Sequence, residues 1–265
     1  MGEQNTAKRR VFLSDLDNTL IYSYKHNIGD EKTCVEIYQG REISFMTDRS
    51  YHLLKKVKEK VLLVPVTTRT REQYDRIDLG IGTPEYALVC NGGVLLVNGQ
   101  EDEEWYENSL ELIHESRREL VRGMRYLAED EHVNFEIRNI RELFLFTKSA
   151  KPEESVRRLR EGLDLSLVEV FSNGVKVYVL PKKLSKGRAL QRFRERIGAE
   201  CVIAAGDSEF DIPMLRKAEI AFLPEELEER CEVRSHSFGI ADRGNDAERT
   251  IIFSDGLLQA ILELE

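Results

Sequence analysis

Two aspartates stand two positions apart in Asp15-Leu16-Asp17-Asn18-Thr19-Leu20, directly after the apolar run Val11-Phe12-Leu13 and Ser14. At the end of a buried strand, side chains two positions apart point the same way, so the pair invites a cation. Taken alone, such acids also occur in turns and calcium-loop fragments. Other polar groups follow other apolar runs: Thr67-Thr68-Arg69 after Val61 to Val66, Asn91-Gly92-Gly93 after Tyr86 to Cys90, and Gly206-Asp207-Ser208-Glu209-Phe210-Asp211 after Cys201 to Ala205. Lys186 opens an amphipathic stretch just after Ser185. Carboxylates, hydroxyls and a lysine gathered at strand ends could act on a phosphate ester, whose negative charge repels an attacking carboxylate until it is neutralised. Mg²⁺ suits that task because it favours hard oxygen ligands. Singly, Thr67 reads as a strand-end hydroxyl and Lys186 as a solvated helix residue; together and in chain order, the Asp15 motif, Thr67, Lys186 and the Gly206 to Asp211 segment favour the chemical reading.

The apolar runs read as strands and the segments between them as helices. Asp48 can cap a helix carrying Leu53, Leu54 and Val57, and Ser185 one carrying Leu190, Phe193 and Ile197 before Gly198. This alternation predicts an α/β fold, a Rossmann-like parallel sheet with helices on both faces, whose ligands bind beyond the carboxyl ends of the strands. The stretch from Tyr22 to Asp48 is too long for a plain βα loop. Its alternating segments Cys34 to Tyr38 and Glu42 to Met46, either side of Gln39-Gly40-Arg41, predict a flap hairpin.

Between residues 109 and 180 the pattern changes to helix, strand, strand, helix, strand, strand. The strands are expected at Val133 to Arg138, Glu142 to Thr147, Leu167 to Phe171 and Val175 to Leu180, with hairpin links at Asn139-Ile140-Arg141 and Ser172-Asn173-Gly174. This predicts an inserted α+β cap domain (αββαββ) over 109–180, within a discontinuous core of 1–108 and 181–265.

Composition narrows the partners. The 265 residues are 41% apolar, and 48 acidic against 39 basic side chains give a formal charge of −9. That balance disfavours nucleic acid and anionic membranes. The polar start MGEQNTAKRR fits neither a secretory signal nor a membrane anchor, so a cytoplasmic location is expected. Cys34, Cys90, Cys201 and Cys231 lack paired spacing and read as reduced thiols, and the five histidines show no metal-ligand spacing. Acidic runs at Glu101 to Glu104 and Glu225 to Glu229 read as solvated surface, as do Lys25, His26, Arg41, Arg138 and Arg141. The expected partner is a small phosphorylated molecule, with no obligate protein partner.

The ordered set Asp15-x-Asp17-x-Thr19, Thr67, Lys186 and Gly206-Asp207 with Asp211 resembles the haloacid dehalogenase superfamily of phosphotransferases over essentially the whole chain. The insert is similar to that superfamily's C2B cap. The segment Val64-Pro65-Val66-Thr67-Thr68-Arg69-Thr70 and the overall size resemble the trehalose-phosphate and sucrose-phosphate phosphatase group. The resemblance implies a Mg²⁺-dependent phosphatase that forms an aspartyl-phosphate on Asp15, with Asp17 as general acid and base. It implies phosphate contacts from Thr67, Thr68 and Lys186. Metal contacts fall to Asp15, the main-chain oxygen of Asp17, Asp207 and Asp211, the last directly or through water. Asn91 and Ser208 are candidates for substrate or supporting contacts. One departure stands out: Phe210 occupies the position before Asp211 where many members carry Asn. A sugar-phosphate mutase and a non-catalytic binding module are the alternative readings.

Overall fold

The computed structural model describes residues 10–228 and 252–264, and the backbone of 237–240. The polar start, Glu229 and Cys231 lie outside the described residues. Two compact units divide the chain: one runs through Glu101 and resumes at Lys186, and the other is Asp102–Ser185.

The first unit opens with β1 (Arg10–Ser14), where every residue after Arg10 is buried. Such unbroken burial marks a strand covered on both faces. Next come β2 (Tyr22–Ser23), β3 (Lys32–Tyr38) and β4 (Arg41–Thr47), an antiparallel sheet in the order β2-β4-β3. This is the expected flap hairpin, but its turn is only Gln39-Gly40, both at positive φ, and Arg41 pairs with Tyr38 inside the ladder. Two left-handed residues match the twist of paired strands, which is why the turn is tighter than the three-residue link predicted. Helix α1 (Asp48–Lys60) is capped by Thr47, whose side chain accepts from the Ser50 N–H, and not by Asp48. Asp48 instead sits in the first turn, where the helix dipole favours a carboxylate. Then follow β5 (Leu62–Pro65), the short α2 (Arg71–Tyr74), and an antiparallel meander of β6 (Tyr86–Val89), β7 (Val94–Val97) and β8 (Gln100–Glu101).

The second unit contains α3 (Glu103–Leu112), α4 (Arg117–Ala128), β9 (Arg138–Ile140), β10 (Phe144–Lys148), α5 (Pro152–Gly162), β11 (Val168–Asn173) and β12 (Lys176–Pro181). Its antiparallel sheet has the order β11-β12-β10-β9. The helix–strand–strand order repeats as expected, with differences at its edges. Residue 109 falls inside α3, and a 3₁₀ turn at His114–Ser116 separates α3 from α4. The strand expected from Val133 is reduced to a Val133–Ser149 bridge, and β9 begins at Arg138. The first hairpin turns at Arg141 and Glu142, both at positive φ, so Asn139 and Ile140 stay in the ladder. In the second, Asn173 pairs with Lys176 and Gly174 takes φ +56°. Glycine supplies the left-handed residue there, so the turn centres one step later than predicted.

The chain returns to the first unit with α6 (Lys186–Ile197), β13 (Cys201–Ala205), α7 (Ile212–Leu215), β14 (Ile220–Pro224), α8 (Glu225–Glu228), β15 (Ser237–Ile240) and α9 (Phe253–Glu263). The main sheet is parallel throughout, in the order β15-β14-β13-β1-β5. On one face Phe12, Leu63, Ile203 and Phe222 pack in a cluster with Leu54 and Val57 of α1 and Leu257, Leu258 and Ile261 of α9. The alternate residues Val11, Leu13, Val202 and Ala204 are equally buried on the other face. Each fully buried large side chain contributes roughly 1.5–3 kcal/mol. This is the α/β fold expected.

Register decides where the polar ends fall. Ser14 pairs with both Ala205 and Pro65, so β13, β1 and β5 finish level. Asp15, Thr67 and Asp207 therefore leave the sheet side by side. The start of α6 is set by close contact: a Cβ on Gly187 would lie 2.0 Å from the Pro213 carbonyl oxygen. Gly187→Ala should consequently destabilise the protein by roughly 1–3 kcal/mol through overpacking. Denaturant unfolding tests this, and an unchanged midpoint would show that α6 and α7 do not approach so closely.

Candidate active site

Asp15 is the first residue beyond β1, and its N–H donates to the Ala205 carbonyl at 2.9 Å, tying it to β13. Its Oδ1 meets Lys186 Nζ, and Thr19 Oγ1 lies 3.4 Å from its Oδ2. Lys186, at the start of α6, is only 1% exposed and also donates to Asp211 Oδ1 at 2.6 Å. A buried ammonium gripped by two carboxylates is no solvated helix residue. Burial disfavours its charge, but Asp15 and Asp211 outweigh that and hold its pKa above the ordinary lysine value.

The third carboxylate, Asp207, lies one residue past Gly206 at the end of β13. Asn18 Nδ2 and Thr19 Oγ1 each donate to it at 3.3 Å. Asp211 is folded back over this strand end: a Cβ on Gly206 would sit 2.3 Å from Asp211 Cβ and Cγ, so only glycine fits. Asp207 and Asp211 have the four-residue spacing of one helical turn, but the link is a tight turn, closed by the Asp211 N–H donating to the Ser208 carbonyl, and α7 begins only at Ile212. Ser208 donates to Asp211 Oδ2 through N–H at 3.1 Å and Oγ at 2.8 Å. Both Asp211 oxygens are thus engaged by protein donors.

Asp15, Asp207 and Asp211 can each present an oxygen within 4.8 Å of the others. With Lys186 included, three carboxylates against one ammonium leave a formal charge of −2. Burial first, then the neighbouring acids, push Asp15 up despite Lys186, and burial with Asp211 pushes Asp207 up to about 6. Such crowding favours a compact divalent cation, and an all-oxygen donor set fits Mg²⁺. Asp15 and Asp207 are the better placed to hold it directly, since Asp211 is wholly buried and accepts three hydrogen bonds at 2.6–3.1 Å, whereas Thr19 and Asn18 approach Asp15 Oδ2 and Asp207 only at 3.3–3.4 Å.

Thr67 is buried, accepts from the Arg69 N–H at 3.1 Å through Oγ1, and keeps its own hydroxyl proton for another acceptor. Thr68 beside it is half-buried. Asn91 stands behind this loop in a left-handed conformation (φ 58°, ψ 30°), and its N–H donates to the Thr67 carbonyl at 2.9 Å. The neighbouring Cys90 N–H holds the Arg69 carbonyl at 2.8 Å. The structure therefore brings Asp15, Lys186, Asp207, Asp211 and Ser208 into one cluster, with Thr67 and Asn91 on the adjoining strand end.

Asp17 stands at the edge of this cluster, near enough for its charge to help push Asp15 up. Its side chain is half-exposed and both oxygens lie in the fork of Arg69, Oδ2 at 2.8 Å from Nε and Oδ1 at 2.7 Å from Nη2. Arg69 also reaches Glu36 of the flap hairpin at 2.9 Å. Sequence reasoning gave neither residue a role. Arg69 carried a usable signal, two positions beyond the strand-end Thr67. Glu36 carried none, because it sits at a break in the strand's alternation.

Comparison with known proteins gives the same picture. The family model for sucrose-6F-phosphate phosphohydrolase matches residues 8–223. A phosphoglycolate phosphatase of Methanopyrus kandleri is 29% identical over 212 residues, 76% of this chain and 85% of the relative. Among solved structures, a sucrose-phosphatase from Synechocystis sp. with sucrose and phosphate superposes with a TM-score of 0.64 at 19% identity, covering 97% of this chain and 98% of that one. A subclass IIB sugar phosphatase of the haloacid dehalogenase superfamily gives 0.59 at 15% identity, with 96% and 98% covered. These likenesses agree in fold with the cap-bearing architecture read from the sequence. With most of its length matched by one model, the chain belongs to the sucrose-6F-phosphate phosphohydrolase family and is a phosphatase of the haloacid dehalogenase superfamily.

Proposed function

We propose that this phosphatase is a Mg²⁺-dependent phosphomonoesterase that acts on a small sugar phosphate through an aspartyl-phosphate on Asp15. The observation that carries this reading is the buried cluster of Asp15, Lys186, Asp207 and Asp211 at the ends of β1 and β13. The sugar-phosphate substrate is supported by the family description and by the sucrose-phosphatase likeness. A mutase is not favoured, since the matched family and relatives are named as phosphatases.

Asp15 attacks phosphorus, forming an Asp15 Oδ–P bond while the bond from phosphorus to the alcohol oxygen breaks. Asp17 gives the departing oxygen a proton. It then takes one from water, whose oxygen displaces Asp15 from phosphorus and regenerates the carboxylate. Thr67 donates its hydroxyl proton to a phosphate oxygen, with Thr68 beside it. Lys186 supplies positive charge where the transferring group gathers negative charge. Asp211, held by Ser208, keeps Lys186 directed at Asp15. Asp15, Asp207 and the main-chain oxygen of Asp17 would hold Mg²⁺, which would supply charge neutralisation for the phosphate.

Asp15→Asn should abolish phosphate release from a panel of sugar phosphates and phosphoglycolate while leaving the circular dichroism spectrum unchanged. Wild-type protein should show its highest kcat/KM on a sugar phosphate. Retained turnover in the variant contradicts the assigned nucleophile, and a preference for phosphoglycolate contradicts the substrate class.

Asp207 makes a second prediction. Its carboxyl titrates at about 6 in the fold against 3.8 ordinarily, so between those values the folded state holds more protons than the unfolded one. Its contribution to stability therefore falls as pH rises from about 4 through about 6. In metal-free protein the Tm advantage of Asp207→Asn over wild type should grow across that window. Added Mg²⁺ should raise the wild-type Tm at pH of about 7 and leave the variant's largely unmoved. A pH-independent difference between the two proteins contradicts the proposal.

A further inference from the structure

In the flap strand Cys34-Val35-Glu36-Ile37-Tyr38, simple alternation would put Val35 and Ile37 on one face and Glu36 on the other. The strand does not alternate. Its register with β4 shifts on both sides of Glu36, so that Val35 and Glu36 are both buried while Ile37 is 58% exposed. A bulge re-aims side chains, and this one turns a carboxylate inward and an isoleucine out, against the preference of each for its solvent. Burying that charge requires full compensation, and it has it. Glu36 is 1% exposed; its Oε2 accepts from Arg69 Nη1 at 2.9 Å and Ser44 Oγ at 2.6 Å, and its Oε1 from Arg76 Nε at 3.0 Å.

The result is an alternating row of charges, Asp17, Arg69, Glu36, Arg76, that ties the loop after β1 to Glu36 of the hairpin and ends in the segment after α2. Arg69 is fixed at both ends, its guanidinium between two carboxylates and its backbone by Thr67 and Cys90. Asp17 is the only member of the Asp17–Arg69–Glu36 chain with a half-exposed side chain, 48% against 14% and 0%. A short acid so exposed would sample several rotamers, and the bidentate fork confines it to one. The fork uses one lone-pair direction on each Asp17 oxygen and leaves the others to carry a proton.

We propose that Arg69 is a positioning residue for Asp17 and that the buried Glu36 anchors Arg69, so the flap hairpin fixes where the proton of the reaction is exchanged. This rests on the reading of Asp17 as general acid and base. The alternative is that the row merely holds the hairpin to the core. The two differ in one respect: loss of a general acid hurts esters of poor leaving groups far more than those of good ones, whereas loosened packing slows all alike.

The test measures kcat/KM over a series from p-nitrophenyl phosphate to simple alkyl phosphates for wild type, Asp17→Asn, Arg69→Met and Glu36→Gln, with Tm for each. Arg69→Met is expected to lower kcat/KM at least roughly 10-fold on alkyl phosphates and under roughly 3-fold on p-nitrophenyl phosphate, a part of the effect of a general acid. Glu36→Gln should follow the same pattern more weakly, and adding Arg69→Met to Asp17→Asn should cost little more. A uniform loss across the series in Arg69→Met, with Asp17→Asn still dependent on the leaving group, overturns the proposal alone. A uniform loss in Asp17→Asn overturns the general-acid reading and this proposal with it. Should Arg69→Met fail to fold, Arg69→Lys keeps the charge without the fork and faces the same criterion.

Discussion

A single buried ammonium organises the site. Lys186 is clamped by Asp15 and Asp211, and its burial would be untenable without them. The carboxylates depend on it in turn, because three acids whose oxygens lie within 4.8 Å of one another repel strongly in a site shielded from water. One lysine does not balance three carboxylates, and the remaining negative charge suits the cluster to the divalent cation and phosphate proposed for it. The charge imbalance and the proposed catalysis are therefore one feature.

The fold meets that requirement by ending three strands level. Because β13, β1 and β5 finish in register, Asp15, Thr67 and Asp207, far apart in sequence, become neighbours at the strand ends. Two glycines permit the close approaches involved: Gly206 lets Asp211 fold over the end of β13, and Gly187 lets α6 begin against Pro213. The Cys90-Asn91-Gly92 turn, with all three residues at positive φ, braces the Thr67 loop from behind through main-chain hydrogen bonds. Backbone strain is tolerated where it holds a reactive loop in place.

Much of this was legible from residue order. Apolar runs ending in Asp15, Thr67 and Asp207 located the sheet and its polar edge, since a parallel strand buried on both faces leaves an unmistakable pattern. Local geometry was less accessible. Thr47 rather than Asp48 caps α1, and the hairpins of the second unit turn at Arg141-Glu142 and Gly174, because neighbouring residues of similar propensity compete for such positions and tertiary packing decides. The turn from Asp207 to Asp211 mimics helical spacing without being a helix. Glu36 was hidden for a deeper reason: its importance comes from a bulge that breaks the alternation by which strands are read. Arg69, by contrast, lies two positions beyond Thr67, so its place beside the site was legible in principle though sequence reasoning gave it no role.

The central claim is that the Asp15 carboxylate bonds to phosphorus during turnover. Borohydride trapping tests it most directly: enzyme quenched while hydrolysing a sugar phosphate in Mg²⁺, then reduced, converts an acyl phosphate to the corresponding alcohol. Peptide mass spectrometry should find homoserine in place of aspartate at position 15, and at no other aspartate. Unmodified Asp15 in enzyme that is turning over, or a reduced residue elsewhere in the chain, would contradict the account.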